Sequence, residues 1–281
     1  MSNEPITKAV TQFYDSHPIN EDQILQALRQ SGIDLANLTQ DDLGPFDQDH
    51  YGGLDANAAL ASKVGITPSD HVLDVCSGMG GPARWLAHRI GCRVTGLELT
   101  ERRCEAATRL TALARLSGQV EFRCGNALEM PFADGTFDVV VSQEAFVHVP
   151  DKPRLIDECT RVVRSGGRIA FTDIVQRGRL DDEERTRLRN EMAYPSVETI
   201  GGYCKLLQES GCGDIKVEDL SDEWARILVS RLAMYRSLRA STVAQFGEPR
   251  GESWDRAYSF FVGLYETGQL GGVRVVARRA G

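Results

Sequence analysis

The stretch from Gly78 to Ala83, GMGGPA, constrains the fold most, because it separates an apolar strand pattern from a helical one. The run before it, HVLDVC, predicts a short buried strand, and the run after it, PARWLAHRI, predicts a helix with Pro82 in its first turn. Its spacing satisfies G-x-G-x-x-A, the turn that opens a nucleotide-cofactor site in many α/β domains. Taken alone, the motif does not say which cofactor it holds.

Strand and helix patterns alternate from residue 66 to 175. Thr100 is predicted to cap a long helix that reaches Leu116, and Asp151 to cap a helix that the pair Gly166-Gly167 ends. The later strands of this region are predicted at RVTGLEL, VEFRC, FDVVVSQ and RIAFTDIV. Such alternation predicts an α/β domain with a parallel sheet covered by helices on both faces.

The two ends of the chain have a different pattern. Residues 1–65 are predicted to form a helical N-terminal cap, with one helix after Asn20 and another from Asp55 to Lys63. Residues 66–175 form the predicted core, and residues 176–281 add the remaining strands. The last region carries two long helical stretches, about residues 221–266, which we expect to form a lid over a substrate.

Charge and composition exclude several classes of protein. The 281-residue chain has a formal charge of -8 and a pI of about 5.3, which argues against binding to nucleic acid. It has no export signal at its start and no run of 18 apolar residues, so we expect no membrane partner. Seven scattered cysteines without a C-x-x-C pair indicate reduced thiols in a cytoplasmic protein, and no metal-ligand constellation is visible. The oligomeric state is unknown from sequence.

Features outside the glycine turn choose the cofactor. Asp74 lies inside the first strand, where a dinucleotide site needs no carboxylate. Glu98 ends the second strand, where it can accept bonds from two ribose hydroxyls, a feature that fits either cofactor. Two further stretches follow at Cys124–Phe146, CGNALEMPFADGTFDVVVSQEAF, and at ECTRVVRSGGRIAFTDI. Together these motifs resemble, in order and spacing, the class I S-adenosylmethionine-dependent methyltransferases.

This resemblance implies a Rossmann-like fold with a mostly parallel seven-stranded sheet, and S-adenosyl-L-methionine as the cofactor. Two positions depart from the family pattern: Cys76 stands at the first turn glycine, and Asn126 stands where an acidic residue is usual. Asn126 still offers an amide to the adenine. The residues that the resemblance assigns to cofactor binding are Tyr51, Asp74, Ser77, Gly78, Met79, Gly80, Glu98, Leu99, Asn126, Ala127 and Gln143.

Shorter motifs narrow the acceptor. The stretches HYGG, VSQEAFVHVPDK and GLYETGQLGGVRVVARR resemble sarcosine/dimethylglycine methyltransferases and related small-molecule enzymes. The resemblance implies methyl transfer to a small molecule, at an amine nitrogen or a hydroxyl oxygen. Methylation at carbon, an NAD-dependent oxidoreductase and a non-catalytic cofactor-binding protein stay open as alternatives.

His148 is the candidate catalytic residue, because it follows the fourth strand at the sheet edge where a transferred methyl would lie. It would act as a base for an acceptor that arrives protonated, and the chemistry needs no metal.

Tyr51, beside Gly52-Gly53, is a candidate gate. Most arginines of the lid helix are expected on its solvated face, but one that turned inward would give a bidentate partner for a substrate carboxylate. The candidates are Arg226, Arg231, Arg236 and Arg239 for that arginine, and Phe146, Tyr194 and Tyr235 for rings around a cationic product.

Overall fold

The computed structural model describes residues 10–11, 14, 20–237 and 247–281. Seven strands form one sheet, as the sequence predicts. Their bounds are β1 His71–Val75, β2 Arg93–Glu98, β3 Val120–Cys124, β4 Phe137–Gln143, β5 Val163–Gln176, β6 Cys212–Asp219 and β7 Leu270–Arg279.

The strand order is β3-β2-β1-β4-β5-β7-β6. Strands β1 to β5 run parallel, whereas β7 pairs antiparallel with both β5 and β6. The order reverses between β1 and β4, and in open parallel sheets ligands bind beside the carboxyl ends of the strands at such a point. The fold therefore places the glycine turn after β1 and the segment after β4 at one crevice.

Helices cover both faces of the sheet. Their bounds are α1 Glu21–Gln30, α2 Gln40–Leu43, α3 Gly53–Val64, α4 Gly81–Ile90, α5 Glu101–Leu113, α6 Lys152–Val162, α7 Asp182–Glu191, α8 Ile200–Glu209, α9 Ser221–Ser237 and α10 Glu248–Glu266. Asn20 and Asp151 cap α1 and α6, since their side chains accept the backbone N–H of Gln23 and Arg154. Thr100 precedes α5 but makes no side-chain cap bond, so that prediction was wrong in its detail. Its hydroxyl is buried instead.

Alternate residues of the central strands pack into two different cores. Leu73 and Val75 of β1 point into one core together with Ile156 of α6, whereas Val72 points into a second core with Leu60 of α3. This alternation is the two-residue period of a strand that is buried on both faces. It fixes the register of β1 and so the position of the turn that follows.

A third apolar cluster joins the two long C-terminal helices to the rest of the molecule. Trp224 and Leu228 of α9 pack with Phe261 of α10, with Ile174 of β5 and with Tyr51 from the N-terminal region. No helix in the described ranges combines the length and the apolar character needed to cross a membrane.

Some predicted boundaries were wrong. Helix α6 ends at Val162, before the glycine pair, and β5 already begins at Val163. Gly167 lies inside this strand at a position that needs glycine, because a side chain there would press against Val163 and the carbonyl oxygen of Asp138. Helix α5 likewise ends at Leu113, short of Leu116. Residues 238–246 of the predicted lid and most of residues 1–19 lie outside the described residues.

Candidate active site

A cavity opens at the carboxyl edge of the sheet and brings together segments distant in sequence. Of the residues predicted to hold the cofactor, Tyr51, Asp74, Ser77, Gly78, Met79, Glu98, Leu99, Asn126, Ala127 and Gln143 line it, as does His148. Gly80 is not among the lining residues. We call the part beside the glycine turn and Glu98 the donor half, and the part beside Glu144, Tyr194 and Arg231 the acceptor half.

Left-handed backbone shapes the glycine turn of the donor half. Gly78 has φ +54° and Gly80 has φ +78°, and a Cβ on Gly80 would overlap the ring of Phe122. Gly80 thus serves the turn and the close packing of helix on sheet, while Gly78 faces the cavity. Cys76, which replaces the family's first glycine, keeps φ +60°, so the turn retains its left-handed entry at the cost of some strain.

Two buried carboxylates flank this turn. Glu98 accepts the backbone N–H of Gly78 and that of Thr100, each at 2.9 Å. Asp74 is buried, and its Oδ2 has no hydrogen-bond partner among the described residues. Burial, helped by the nearby charge of Glu98, raises the pKa of Asp74 to about 7.

Other buried polar atoms in the donor half also have no hydrogen-bond partner among the described residues. The hydroxyl of Ser77 and Oε1 of Gln143 are buried with no hydrogen bond within the described part of the chain. The amide nitrogen of Gln143 donates to Oδ1 of Asn57 at 2.7 Å, and Oδ1 of Asn126 accepts the backbone N–H of Leu128 at 2.9 Å. Buried polar groups normally find partners, so these atoms fit a polar bound molecule such as the methionine tail and nucleoside of S-adenosylmethionine. In the ranges that can be described, no cluster of side chains suits a metal ion.

His148 uses both ring nitrogens. Nδ1 lies 3.0 Å from the carbonyl oxygen of Ala193, and Nε2 lies 2.8 Å from the hydroxyl oxygen of Tyr14. A carbonyl oxygen only accepts, so Nδ1 carries the hydrogen of the neutral ring and Nε2 accepts from the hydroxyl. His148 and Tyr14 both line the cavity, and Nε2 of His148 is bonded to the hydroxyl of Tyr14.

Tyr14 is held over the donor half by a buried cation. The guanidinium of Arg103 lies 4.5 Å from the centre of the Tyr14 ring and pairs with Asp49 at 3.0 Å. Its Nη2 is also 3.4 Å from the place that a Cβ on Gly78 would take. Burial raises the pKa of Tyr14 well above its usual range, with Asp49 adding to the effect. Arg103 thus connects the glycine turn to the tyrosine that contacts His148.

Glu144 is the acidic residue of the acceptor half. It follows β4 with φ +54°, a left-handed conformation that is strained for a residue with a side chain. Its Oε1 accepts the backbone N–H of Tyr51 at 2.8 Å, which fastens the segment before α3 to the sheet edge. Burial raises the pKa of Glu144 to about 8, although the bond from Tyr51 and the charge of Arg231 oppose this.

Among the arginines of the predicted lid, Arg231 turns inward. Its guanidinium lies 4.8 Å from the centre of the Tyr51 ring, and Nη2 donates to the carbonyl oxygen of His50 at 2.9 Å. Arg226 is exposed, and Arg236 pairs with Asp255 at 2.8 Å on the surface. Arg239 lies outside the described residues.

Aromatic rings complete the acceptor half. Tyr194 and Tyr235 line the cavity as expected, together with Trp254 and Tyr258. Phe146 does not line it, because its side chain packs in the core with its ring 4.9 Å from that of Phe171.

Sequence reasoning missed several cavity residues, among them Tyr14, Asp49, Arg103, Trp254 and Tyr258. It also gave no role to Glu144. Glu144 had a usable signal, since it directly follows the fourth strand at the edge where ligands bind. The others had none, because their approach depends on tertiary packing.

Comparison with known proteins finds similar methyltransferases. A methyltransferase-domain family model matches residues 73–171. The glycine/sarcosine/dimethylglycine N-methyltransferase of Actinopolyspora halophila is 35% identical over 163 residues, which are 58% of this chain and 29% of that protein. The sarcosine/dimethylglycine N-methyltransferase of Halorhodospira halochloris is 32% identical over 219 residues, 76% of each chain.

A solved structure has a similar fold. The phosphoethanolamine N-methyltransferase 2 of Haemonchus contortus, in complex with phosphomonomethylethanolamine and S-adenosylhomocysteine, superposes with a TM-score of 0.77. The match covers 96% of this chain and 59% of that one at 19% identity, so it shows the shared fold.

Proposed function

The chain belongs to the class I S-adenosylmethionine-dependent methyltransferases, and from this premise we propose that it transfers a methyl group from S-adenosyl-L-methionine to a small-molecule acceptor. The acceptor atom in this proposal is an amine nitrogen or a hydroxyl oxygen. One observation carries it: the donor half and the acceptor half are parts of a single cavity at the switch point between β1 and β4.

The donor half would hold the cofactor through a few groups. Glu98 would accept bonds from the ribose hydroxyls, since each carboxylate oxygen that already holds one backbone N–H can accept another hydrogen. Asp74 and the amides after Gly78 would meet the amino and carboxylate groups of the methionine tail. The bound cofactor supplies an electrophilic methyl on a sulfonium. The protein's part is then to align the acceptor with that methyl and to exclude water.

Tyr14 and His148 would remove the acceptor's proton as a pair. An acceptor hydrogen passes to Oη of Tyr14 while the hydroxyl proton of Tyr14 passes to Nε2 of His148, which leaves the acceptor's lone pair available and the imidazole protonated. The two transfers must be concerted, because burial strongly disfavours a free tyrosinate.

Within this function we favour an amine that also carries an anionic group. Glu144 offers a carboxyl group, whose charged form a bound ammonium group would favour, and Arg231 offers a guanidinium to a carboxylate or phosphate. Both line the same half of the cavity. Aromatic rings beside them suit a methylated cationic product. The relatives named for sarcosine and dimethylglycine methylation support the same class of acceptor.

The test is an acceptor panel read by the release of S-adenosylhomocysteine. It contains glycine, sarcosine, dimethylglycine and phosphoethanolamine, matched amines without the anionic group, and sugars and phenols. We expect turnover with the zwitterionic amines, and lower turnover when the anionic group is removed. Asp74→Ala, which removes a donor-half group, is the blank. Turnover with phenols or sugars alone would show that the acceptor atom is a hydroxyl oxygen and not an amine nitrogen.

A binding measurement separates the alternatives. S-adenosylmethionine should raise the melting temperature, and NADH should not. Stabilisation by NADH alone would support an oxidoreductase. Binding of S-adenosylmethionine without product from any acceptor would support a non-catalytic cofactor-binding protein.

A further inference from the structure

His148 lies in a short 3₁₀ turn, Phe146–His148, and buried charged side chains form hydrogen bonds to the backbone of this turn and of the residue that follows it. This turn lies between β4 and α6, and its residues are buried. The groups that hold it do not line the cavity, so the proton transfer proposed above does not use them directly.

Asp173 of β5 holds the turn by its backbone. Its side chain is fully buried, Oδ1 accepts the N–H of Val147 at 3.0 Å, and Oδ2 accepts the hydroxyl hydrogen of Tyr203 at 2.6 Å. A buried carboxylate is costly, and burial raises the pKa of Asp173 to about 6, against which the ammonium group of Lys152 acts.

Lys152, at the start of α6, holds the other side of the turn. Its buried Nζ donates to the carbonyl oxygen of Val149 at 2.6 Å and to the carbonyl and hydroxyl oxygens of Ser196 at 3.1 and 3.0 Å. Its three donors therefore join two segments, the one that follows His148 and the one that follows Ala193.

The second segment supplies the group that sets the imidazole. Ala193 has φ +55°, a strained conformation for alanine, and its carbonyl oxygen meets Nδ1 of His148. Strain of this kind persists only where the surroundings impose it. Lys152 is the buried side chain that ties this segment to the turn of His148.

We propose that Lys152 and Asp173 are positioning residues that lock His148 as the Nδ1–H tautomer. The inference rests on the proposed proton transfer through Tyr14, because only this tautomer presents an unprotonated Nε2 to the hydroxyl. Asp173 fixes where the turn begins, Lys152 fixes where it ends and where the Ala193 carbonyl stands, and the ring is held between them. In the other tautomer Nε2–H would face the hydroxyl of Tyr14 and could not take its proton.

The first test measures turnover. Lys152→Met keeps the apolar stem and removes the donors, and we expect kcat to fall roughly 10- to 100-fold while KM for S-adenosylmethionine changes less than about twofold. Tyr203→Phe removes only one bond to Asp173 and should give a smaller loss of the same kind. Lys205→Met, at an exposed position on α8, is the matched control and should leave kcat unchanged.

The second test reads the tautomer directly and needs no acceptor. Two-bond ¹⁵N–¹H spectra of protein labelled at its five histidines, assigned with His148→Asn, report which nitrogen carries the hydrogen. We expect Nδ1–H at His148 in the wild type and a shift toward Nε2–H in Lys152→Met. If Lys152→Met does not fold, Tyr203→Phe is measured in the same way and should show the shift to a smaller extent.

The two tests have distinct failures. A wild-type ring protonated at Nε2, or a folded variant with an unaltered tautomer, overturns the positioning role. Unchanged kcat in folded Lys152→Met does the same. If no acceptor is methylated by the wild type, the proposed function fails, whereas the spectra still decide which tautomer the cluster imposes.

Discussion

Replacement of Glu98 by alanine should weaken cofactor binding and stability by separable amounts. The carboxylate accepts two backbone N–H groups, from Gly78 and Thr100, and these bonds exist whether or not a cofactor is bound. Hydrogen bonds to a charged group contribute about 1.5 to 3 kcal/mol each. Water that enters the vacated space offsets part of their loss, so we expect the free energy of unfolding to fall by about 2 kcal/mol.

The proposed bonds from Glu98 to the ribose would exist only in the complex and would therefore determine affinity. Their loss should weaken binding of S-adenosylmethionine by about 1.5 to 3 kcal/mol, which is roughly a 10- to 150-fold rise in Kd. Glu98 is 6% exposed, so solvent screens these bonds little. The backbone loss acts on the free and bound states alike and largely cancels from Kd.

Two assays separate these effects. Urea unfolding gives the stability, and titration calorimetry with S-adenosylhomocysteine, at a temperature where the variant is folded, gives the affinity. Glu121→Ala is the matched control, because this carboxylate on neighbouring β3 is 57% exposed. A folded Glu98→Ala protein with wild-type affinity would refute the ribose assignment. Wild-type stability would show that the two backbone bonds contribute nothing measurable.

Three further outcomes follow from the geometry. Glu144→Gln should match the wild type in melting temperature near pH 5 and exceed it near pH 9. Folding raises the pKa of Glu144 from 4.5 to about 8, which gives a stabilisation of the wild type that is lost as pH rises through the folded-state pKa. Glutamine does not titrate, so the variant does not show this loss of stability. An equal pH dependence in both proteins would contradict the raised pKa. Gly80→Ala should lose about 2 kcal/mol or more in urea unfolding, because of its positive φ and the ring of Phe122, whereas Gly118→Ala, with open space around it, should lose little. His148→Ala should lower the rate roughly 100-fold with unchanged cofactor affinity, and high activity in His148→Asn would favour a positioning role over proton transfer.

The donor half was accessible from sequence because it is built from local motifs. Asp74, Gly78 and Glu98 each occupy a fixed place relative to the end of a strand, and parallel strands bring those ends to one edge. The order of strands therefore sufficed to bring these residues together around one cavity. The seven-stranded sheet followed from the same alternation combined with the family resemblance.

The acceptor half was mostly inaccessible for a physical reason. Tyr14 meets His148 across 134 positions of sequence, and Arg231 meets the carbonyl of His50 across 181. Such contacts depend on how the N-terminal region and the lid pack on the sheet, and side-chain periodicity contains no information about that packing. The predicted lid helix illustrates this, because its sequence offered four candidate arginines but did not distinguish Arg231 from Arg226.

The boundary between the two halves explains how donor and acceptor requirements can be met separately. The donor half consists mainly of strand ends, whose positions the cores on both faces of the sheet fix, whereas the acceptor half draws Arg231 and Tyr258 from the lid. Glu144 lies where the two halves meet, since it directly follows β4 and also accepts the N–H of Tyr51. If the lid helices contact the acceptor as proposed, a change in one of their side chains should alter which acceptor fits while Asp74 and the glycine turn stay in place. In the proposed function, a change at Glu144 would affect both the acceptor and the Tyr51 segment, because the same carboxyl group would contact both.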